Sequence, residues 1–189
     1  MEFSSISLPV EEDSGGEMCF IKRLDGKTLV ALIDGLRFGT RSKAAARKAK
    51  QLISNQEDWN LKDMLLFMHN ELSKTVGVAV AIVIIDHQKR TATFGGVGNI
   101  TIKLIGDQIR PITLPKGILG YQTLVEYGKT VELAANDLVL IHSDGIRDNY
   151  NPESMSKLSV KAAALNLINK YRNPHDHASL VALRDLWVQ

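Results

Sequence analysis

Two apolar runs in this sequence end in Asp-Gly with no returning apolar run close behind. They are TLVALIDGLRFG at 28–39 and DLVLIHSDGIRD at 137–148. A strand end that delivers a carboxylate beside glycine has the makings of a hard-cation site. Mg²⁺ and Mn²⁺ take carboxylate, carbonyl and water oxygens, and glycine lets a backbone carbonyl approach an ion with no Cβ in the way. Asp34 with Gly35, and Asp144 with Gly145, are therefore candidate ligands. Asp176, in NPHDHASL before the last apolar run, is a third candidate, and Glu17, after Gly15-Gly16 and before the first, is a fourth. A further Asp-Gly, Asp25-Gly26, lies between two closely spaced apolar runs. It reads as a hairpin turn, because both residues tolerate positive φ, and it is given no chemistry.

Other side chains with chemical potential fare less well. His142, His175 and His177 cluster near the aspartates in sequence, so a histidine-bound Zn²⁺ centre is the alternative metal site, ranked below the all-oxygen one. His69 and His87 have no partner at ligand spacing. GGVGN at 95–99 lacks the six-residue glycine fingerprint, the lysine and the following helix of a nucleotide loop. It is expected to form a tight turn in which Asn99 buttresses the site by hydrogen bonds. The single cysteine, Cys19, excludes an internal disulfide framework and fits a reducing, cytoplasmic compartment. Trp59 and Trp187 are expected to be packing residues.

The elements that must position these groups follow from periodicity. Residues 18–23 and 27–33 flank the Asp25-Gly26 turn as a hairpin. Residues 76–85, VGVAVAIVII, are apolar at nearly every position, as in a strand covered on both faces. Further strands are expected at 91–94, at 100–105 and 109–114 around a Gly106-Asp107 turn, at 138–141 and at 178–184. Hairpin connections imply antiparallel pairing. Helices are expected over 42–54 and over 61–74, with Met64, Leu65, Met68 and Leu72 on a core face, and a helix or helices from an Asn151 cap with Pro152 in the first turn to about Lys170. Doubly covered antiparallel strands with long helices imply two sheets packed face to face with helices outside: a four-layer α/β sandwich of two antiparallel β-sheets flanked by α-helices.

With 189 residues, 44% hydrophobic and 23% charged, the chain is expected to form one domain, residues 1–189, with residues 1–14 loosely ordered. The net charge of +2 gives no electrostatic case for nucleic acid or an anionic membrane. The basic stretch RSKAAARKAK, 41–50, reads as a solvated helix face. No apolar leader opens the sequence and no apolar run reaches membrane-spanning length.

In order, the candidate elements resemble those of the metal-dependent (type 2C) protein phosphatases, in their compact bacterial SpoIIE/RsbX-like branch. GGE at 15–17 is similar to the family's Gly-Gly-Asp element and IDGLRFG at 33–39 to its Asp-Gly-Leu/Met-Gly-x-Gly element. GGVGN is similar to Gly-x-Gly-Asn, HSDGI at 142–146 to Ser-Asp-Gly, and DHAS at 176–179 to the final Asp-Asp/Asn-x-Thr/Ser. The sequence departs from the pattern in three places: Glu17 stands for aspartate, Arg37-Phe38 for a small or polar pair, and His177 for the second acidic or amide residue.

The resemblance implies the same sandwich fold and hydrolysis of serine or threonine phosphate. It implies two Mn²⁺ or Mg²⁺ ions sharing a water of lowered pKa. Asp34 would bridge them, with the Gly35 carbonyl, Asp144, Asp176 and Glu17 as further ligands. Asn99 and Ser143 would support the site without acting as nucleophiles. A phosphorylated STAS-domain protein of a stressosome or partner-switching pathway is the implied substrate, recognised around LRFGTR through Arg37 and Arg41. Two other readings stand beside this one: a catalytically dead binding module of the same fold, and a haloacid-dehalogenase-like phosphohydrolase. The latter normally needs Asp-x-Asp, which neither DGL nor DGI supplies.

Overall fold

The computed structural model describes residues 1–8, 16–37, 39–123 and 128–184. In chain order the elements are β1 (Glu2–Leu8), β2 (Glu17–Leu24), β3 (Lys27–Gly35), α1 (Thr40–Ser54), α2 (Leu61–Leu72), β4 (Val78–Asp86), β5 (Thr91–Val97) and β6 (Thr101–Ile105). They continue with β7 (Ile109–Ile112), β8 (Gly117–Ile118), β9 (Gln122–Thr123), β10 (Lys129–Glu132), β11 (Leu138–His142), α3 (Pro152–Ser156), α4 (Val160–Tyr171) and β12 (Ala178–Arg184). One antiparallel sheet runs β10-β5-β4-β3-β2 and the other β1-β12-β11-β6-β7, while β8 and β9 form a small separate hairpin.

Alternation along the central strands builds the layers. In β4, Val78, Val80, Ile82 and Ile84 pack with α1 and α2, through Ala45, Ala49, Met64 and Met68. The intervening Ala79, Ala81, Val83 and Ile85 face the other sheet, where they meet Ile102, Leu104, Val139, Ile141 and Val181. On the far side, Leu138, Leu140, Leu180 and Ala182 pack against Ala163, Ala164 and Leu167 of α4. A strand that must be apolar on both faces reads as a continuous hydrophobic run, and so 76–85 carried no polar alternation.

The expected turn at Asp25-Gly26 is present, with φ of 47° and 72°. Asn151 caps α3 by accepting from the amides of Glu153 and Ser154, with Pro152 opening the helix. The helix or helices expected through about 170 are two, because Ser159 caps a second one through the Ala162 amide.

The N-terminus corrects the sequence reading. Residues 2–8, expected to be loose, form β1 and pair along their length with β12. Serines at 4, 5 and 7 hide the strand signal, and an edge strand needs only Ile6 and Leu8 against the core. Short β10, which closes the other sheet's edge beside β5, was also unforeseen. Trp59 packs on the core near α1 and α2 as expected, whereas Trp187 lies outside the described residues.

Candidate metal centre

Strand register brings the first two carboxylates together. Pairing of β2 with β3 sets Glu17 directly opposite Asp34, and the Gly35 amide donates to the Gly16 carbonyl at 3.2 Å. The alternation that turns Cys19 and Leu32 into the space between the sheets carries on to Glu17 and Asp34, since side chains two apart share a face. Both carboxylates therefore emerge at one end of the inter-sheet core. Glycine is obligatory beside them. A Cβ on Gly35 would lie 2.3 Å from the Ser42 carbonyl oxygen, and one on Gly16 would lie 1.8 Å from Ser42 Oγ. Ser42, buried in the first turn of α1, donates to the Gly35 carbonyl at 2.7 Å. That carbonyl keeps a second lone pair.

The second pair comes from the facing sheet. Asp144 follows β11 and Asp176 precedes β12, and these strands are paired neighbours. The Ser143 amide donates to the Ser179 carbonyl at 3.0 Å, and the Ser179 amide to Ser143 Oγ at 3.1 Å. The Asn173 amide donates to the Gly145 carbonyl at 2.8 Å. A Cβ on Gly145 would lie 1.7 Å from the His177 carbonyl oxygen, so glycine alone permits this approach. Asn99, at the turn after β5, donates from Nδ2 to Asp144 Oδ2 at 2.6 Å. Of GGVGN, Gly95 to Val97 belong to β5 itself, and only Gly98 and Asn99 make the expected turn.

Glu17, Asp34, Gly35, Asn99, Asp144 and Asp176 all line one cavity of about 750 Å³. Burial, then the charges of Glu17, Asp144 and Asp176, raise Asp34 to about 7. Glu17 is also raised, first by burial and then by Asp144 and Asp176, against hydrogen bonds from Ser179 and Ser143. Its Oε2 is buried with no hydrogen-bond partner. Asp144 is raised by burial and by Asp176, partly offset by backbone amides and Asn99. No cation figures among these causes.

Among the described residues, no three His, Cys, Asp or Glu side chains are gathered tightly enough to hold an ion as they stand. The donor set nevertheless fits a hard divalent cation. Three carboxylates of raised pKa with Asp176 beside them, an orphaned buried carboxylate oxygen and a glycine carbonyl together lack only positive charge. The residues that could hold it are Asp34, the Gly35 carbonyl, Glu17, Asp144 and Asp176.

Arg37, with a left-handed φ of 69°, lines the cavity, whereas Arg41 is exposed on α1 and does not. Ser143 is buried behind the cavity. The three histidines do not converge. His142 is buried against Tyr150, its Nε2 3.2 Å from the hydroxyl, while His175 is exposed and His177 buried at the cavity wall. His69 Nδ1 accepts from the Gly120 amide, and His87 Nε2 bonds Thr28 Oγ1. Sequence reasoning missed Lys103, Lys116 and Asp148, and gave Ser179 no role beyond its place in DHAS. Asp148 lies four residues after Asp144 and Lys103 interrupts the apolar run TIKLI, faint signals that only the fold connects.

No family model matches the chain. Over 134 residues it is 22% identical to the phosphoserine phosphatase RsbX of Bacillus subtilis, covering 69% of this chain and 67% of that protein. A structure from work on the bacterial stressosome, a modular system adapted to control secondary messenger signalling, aligns with a TM-score of 0.85 at 26% identity. It covers 96% of this chain and 98% of its own. RsbX in complex with magnesium aligns with a TM-score of 0.86 at 19% identity, over 95% and 92% of the two chains. The chain has the fold of the metal-dependent (type 2C) phosphatases. The Mycobacterium tuberculosis serine/threonine phosphatase PstP/Ppp, at 15% identity and a TM-score of 0.79 over 98% of this chain and 99% of that one, shares the same type 2C fold.

Proposed function

We propose that the chain is a metal-dependent serine/threonine phosphoprotein phosphatase that uses two Mn²⁺ or Mg²⁺ ions. Its proposed setting is the cytoplasm, and its proposed substrate a phosphorylated STAS-domain protein of a bacterial stressosome or partner-switching pathway. The observation that carries this reading is the carboxylate cluster: Asp34, opposite Glu17 across one sheet and lining one cavity with Asp144 and Asp176 from the other, is raised to about 7 by burial and then by their like charges. The likeness to RsbX and to a stressosome structure supports the substrate class. No helix among the described residues is long and apolar enough to cross a membrane.

Divalent ions, if bound there, would supply a water of lowered pKa and neutralise charge on the phosphoryl oxygens. The chain's own residues do the positioning. Glu17 and Asp34 are fixed by strand register, and Ser143 and Ser179 hold Glu17 by hydrogen bonds. Asn99 aims Asp144. Arg37 stands where it can meet the phosphoprotein at the cavity. No side chain need become phosphorylated, so Ser143 and Cys19 are not nucleophiles in this scheme.

The test is a Mn²⁺ titration of p-nitrophenyl phosphate hydrolysis by wild type and Asp34→Asn. Metal-dependent turnover lost in the variant is expected. No turnover at any Mn²⁺ or Mg²⁺ concentration would leave a binding module with a phosphatase fold.

A further inference from the structure

Five carboxylates line the cavity, and one of them carries a resident cation. Lys103 Nζ lies 2.5 Å from Asp148 Oδ1, and its side chain is only 11% exposed against 51% for Asp148. The same ammonium stands 4.2 Å from the centroid of the Tyr150 ring. His142 Nε2 is 3.6 Å from the same Asp148 oxygen, and His142 Nδ1 is 2.9 Å from the Ser143 carbonyl oxygen. Lys103 belongs to β6, opposite Leu140 of β11. Asp148, His142 and Tyr150 belong to the strand end and loop that carry Asp144.

The loop from 143 to 150 is otherwise fixed by hydrogen bonds on either side of Asp144, at Ser143 and Gly145, and at its middle. The Ile146 amide donates to the Ser143 carbonyl at 3.2 Å, and the Arg147 amide to the Tyr171 carbonyl at 2.9 Å. Nothing in those bonds requires a buried ammonium. Taking an ammonium out of water costs several kcal/mol, and a buried ion pair is often replaced by apolar side chains at no loss of stability. For folding alone, an apolar residue at position 103 would serve as well. The cation is better explained by what it holds in place.

We infer that Lys103 is a positioning residue whose ion pair with Asp148 clamps the 143–150 loop and so sets where Asp144 sits in the metal centre. This rests on the phosphatase reading for its catalytic meaning, but the geometry can be tested without substrate. Partners behind metal ligands orient them, and their loss typically costs about 10–100-fold in metal affinity.

The experiment compares full-length wild type, Lys103→Met and Asp148→Asn, together with the double variant. Methionine keeps the aliphatic stem and volume while removing the charge. Two readouts are used: Mn²⁺ binding by calorimetry, and the NMR signals of the Asn99 side-chain amide, which donates to Asp144 in the metal-free chain. Lys103→Met is expected to melt close to wild type, to bind Mn²⁺ about tenfold or more weakly, and to shift or broaden the Asn99 amide. Asp148→Asn, which also alters the contact with His142, is expected to weaken Mn²⁺ binding at least as much, with the double variant no worse than Asp148→Asn alone, because both substitutions break the Lys103–Asp148 pair. Unchanged Mn²⁺ affinity and an unchanged Asn99 signal in a folded variant overturn the clamp, as does simple additivity. A wild type that binds no Mn²⁺ defeats the phosphatase reading instead, and the Asn99 signal then decides the clamp alone. If Lys103→Met does not fold, Asp148→Asn carries the same comparison.

Discussion

At the residue scale, Asp34 holds the site together and also strains it. It faces both Glu17 on its own sheet and the aspartates of the other, so neutralising it removes the charge the cations most need. Asp34→Asn is expected to lower kcat by at least about 10²-fold, the scale of losing one major electrostatic stabiliser, measured at saturating Mn²⁺. Its titration makes a separate prediction for the metal-free protein. The folded carboxyl sits near 7 against an ordinary 3.8, so the folded chain holds a proton that the unfolded chain releases. The favourable contribution of this group is therefore greatest below 3.8 and is lost as pH rises from 3.8 to about 7. Melting temperature without metal should fall across that window, and Asp34→Asn should flatten the fall. Mn²⁺ should raise the melting point more at pH 7.5 than at pH 5, because metal and proton compete for the same oxygens. Glu17 tests the motif assignment. Its Oε2 has no other partner, so Glu17→Ala should raise the Mn²⁺ concentration needed for activity more than it lowers saturated turnover. Unchanged metal dependence would remove Glu17 from the site. Glu12 and Asp13, the neighbouring acidic alternatives, lie outside the described residues.

At the element scale, the centre depends on strand ends that approach too closely for any residue but glycine. Gly145→Ala would put a Cβ 1.7 Å from the His177 carbonyl oxygen, which is backbone and cannot swing away. The loops bearing Asp144 and Asp176 would have to separate, at a cost of about 1–3 kcal/mol or more. Lower thermal stability and weaker Mn²⁺ binding are expected together, the second surviving in conditions where the variant is fully folded. The same elements show what the sequence could reveal. β3, β4 and β11 announce themselves because burial on both faces demands unbroken apolar runs. Asp34 and Asp144 stand out because such runs end on them. β1 did not stand out, since an edge strand buries little and its serines mimic a loop. Nor did the network around Lys103. A lysine on β6 and an aspartate in the loop after β11 are ordinary surface residues until pairing of the two strands makes them neighbours. Local periodicity encodes strands and their ends, whereas contacts 45 residues apart, such as Asn99 to Asp144, depend on which strands pair.

At the scale of the whole molecule, the question is what a 750 Å³ cavity at the sandwich edge admits. Its acidic end meets the ends of both sheets, while its walls include Ile102, Pro111, Ile112 and Ile118 and its cations are Arg37, Lys103 and Lys116. Lys103 is engaged by Asp148. That leaves Arg37 and Lys116, both exposed, as the cationic side chains of the cavity wall that face solvent. A small ester reaches the carboxylate end and uses neither. A folded phosphoprotein brings surface beyond the phosphoryl group and can use both, and contacts remote from the reacting bond raise efficiency only for a substrate that makes them. A phosphorylated STAS domain should therefore be hydrolysed with kcat/KM far above that of a phosphopeptide cut from the same site. Arg37→Ala should lower kcat/KM for the folded domain by about tenfold, the effect of roughly 1.4 kcal/mol of lost transition-state binding, while leaving p-nitrophenyl phosphate hydrolysis nearly unchanged. Arg41, away from the cavity on α1, should matter less than Arg37 in the same assay. Steady-state kinetics on the three substrates decides the point. Equal efficiency on peptide and folded domain would mean that recognition stops at the phosphoryl group, and the surface around Arg37 would then have no part in choosing the substrate.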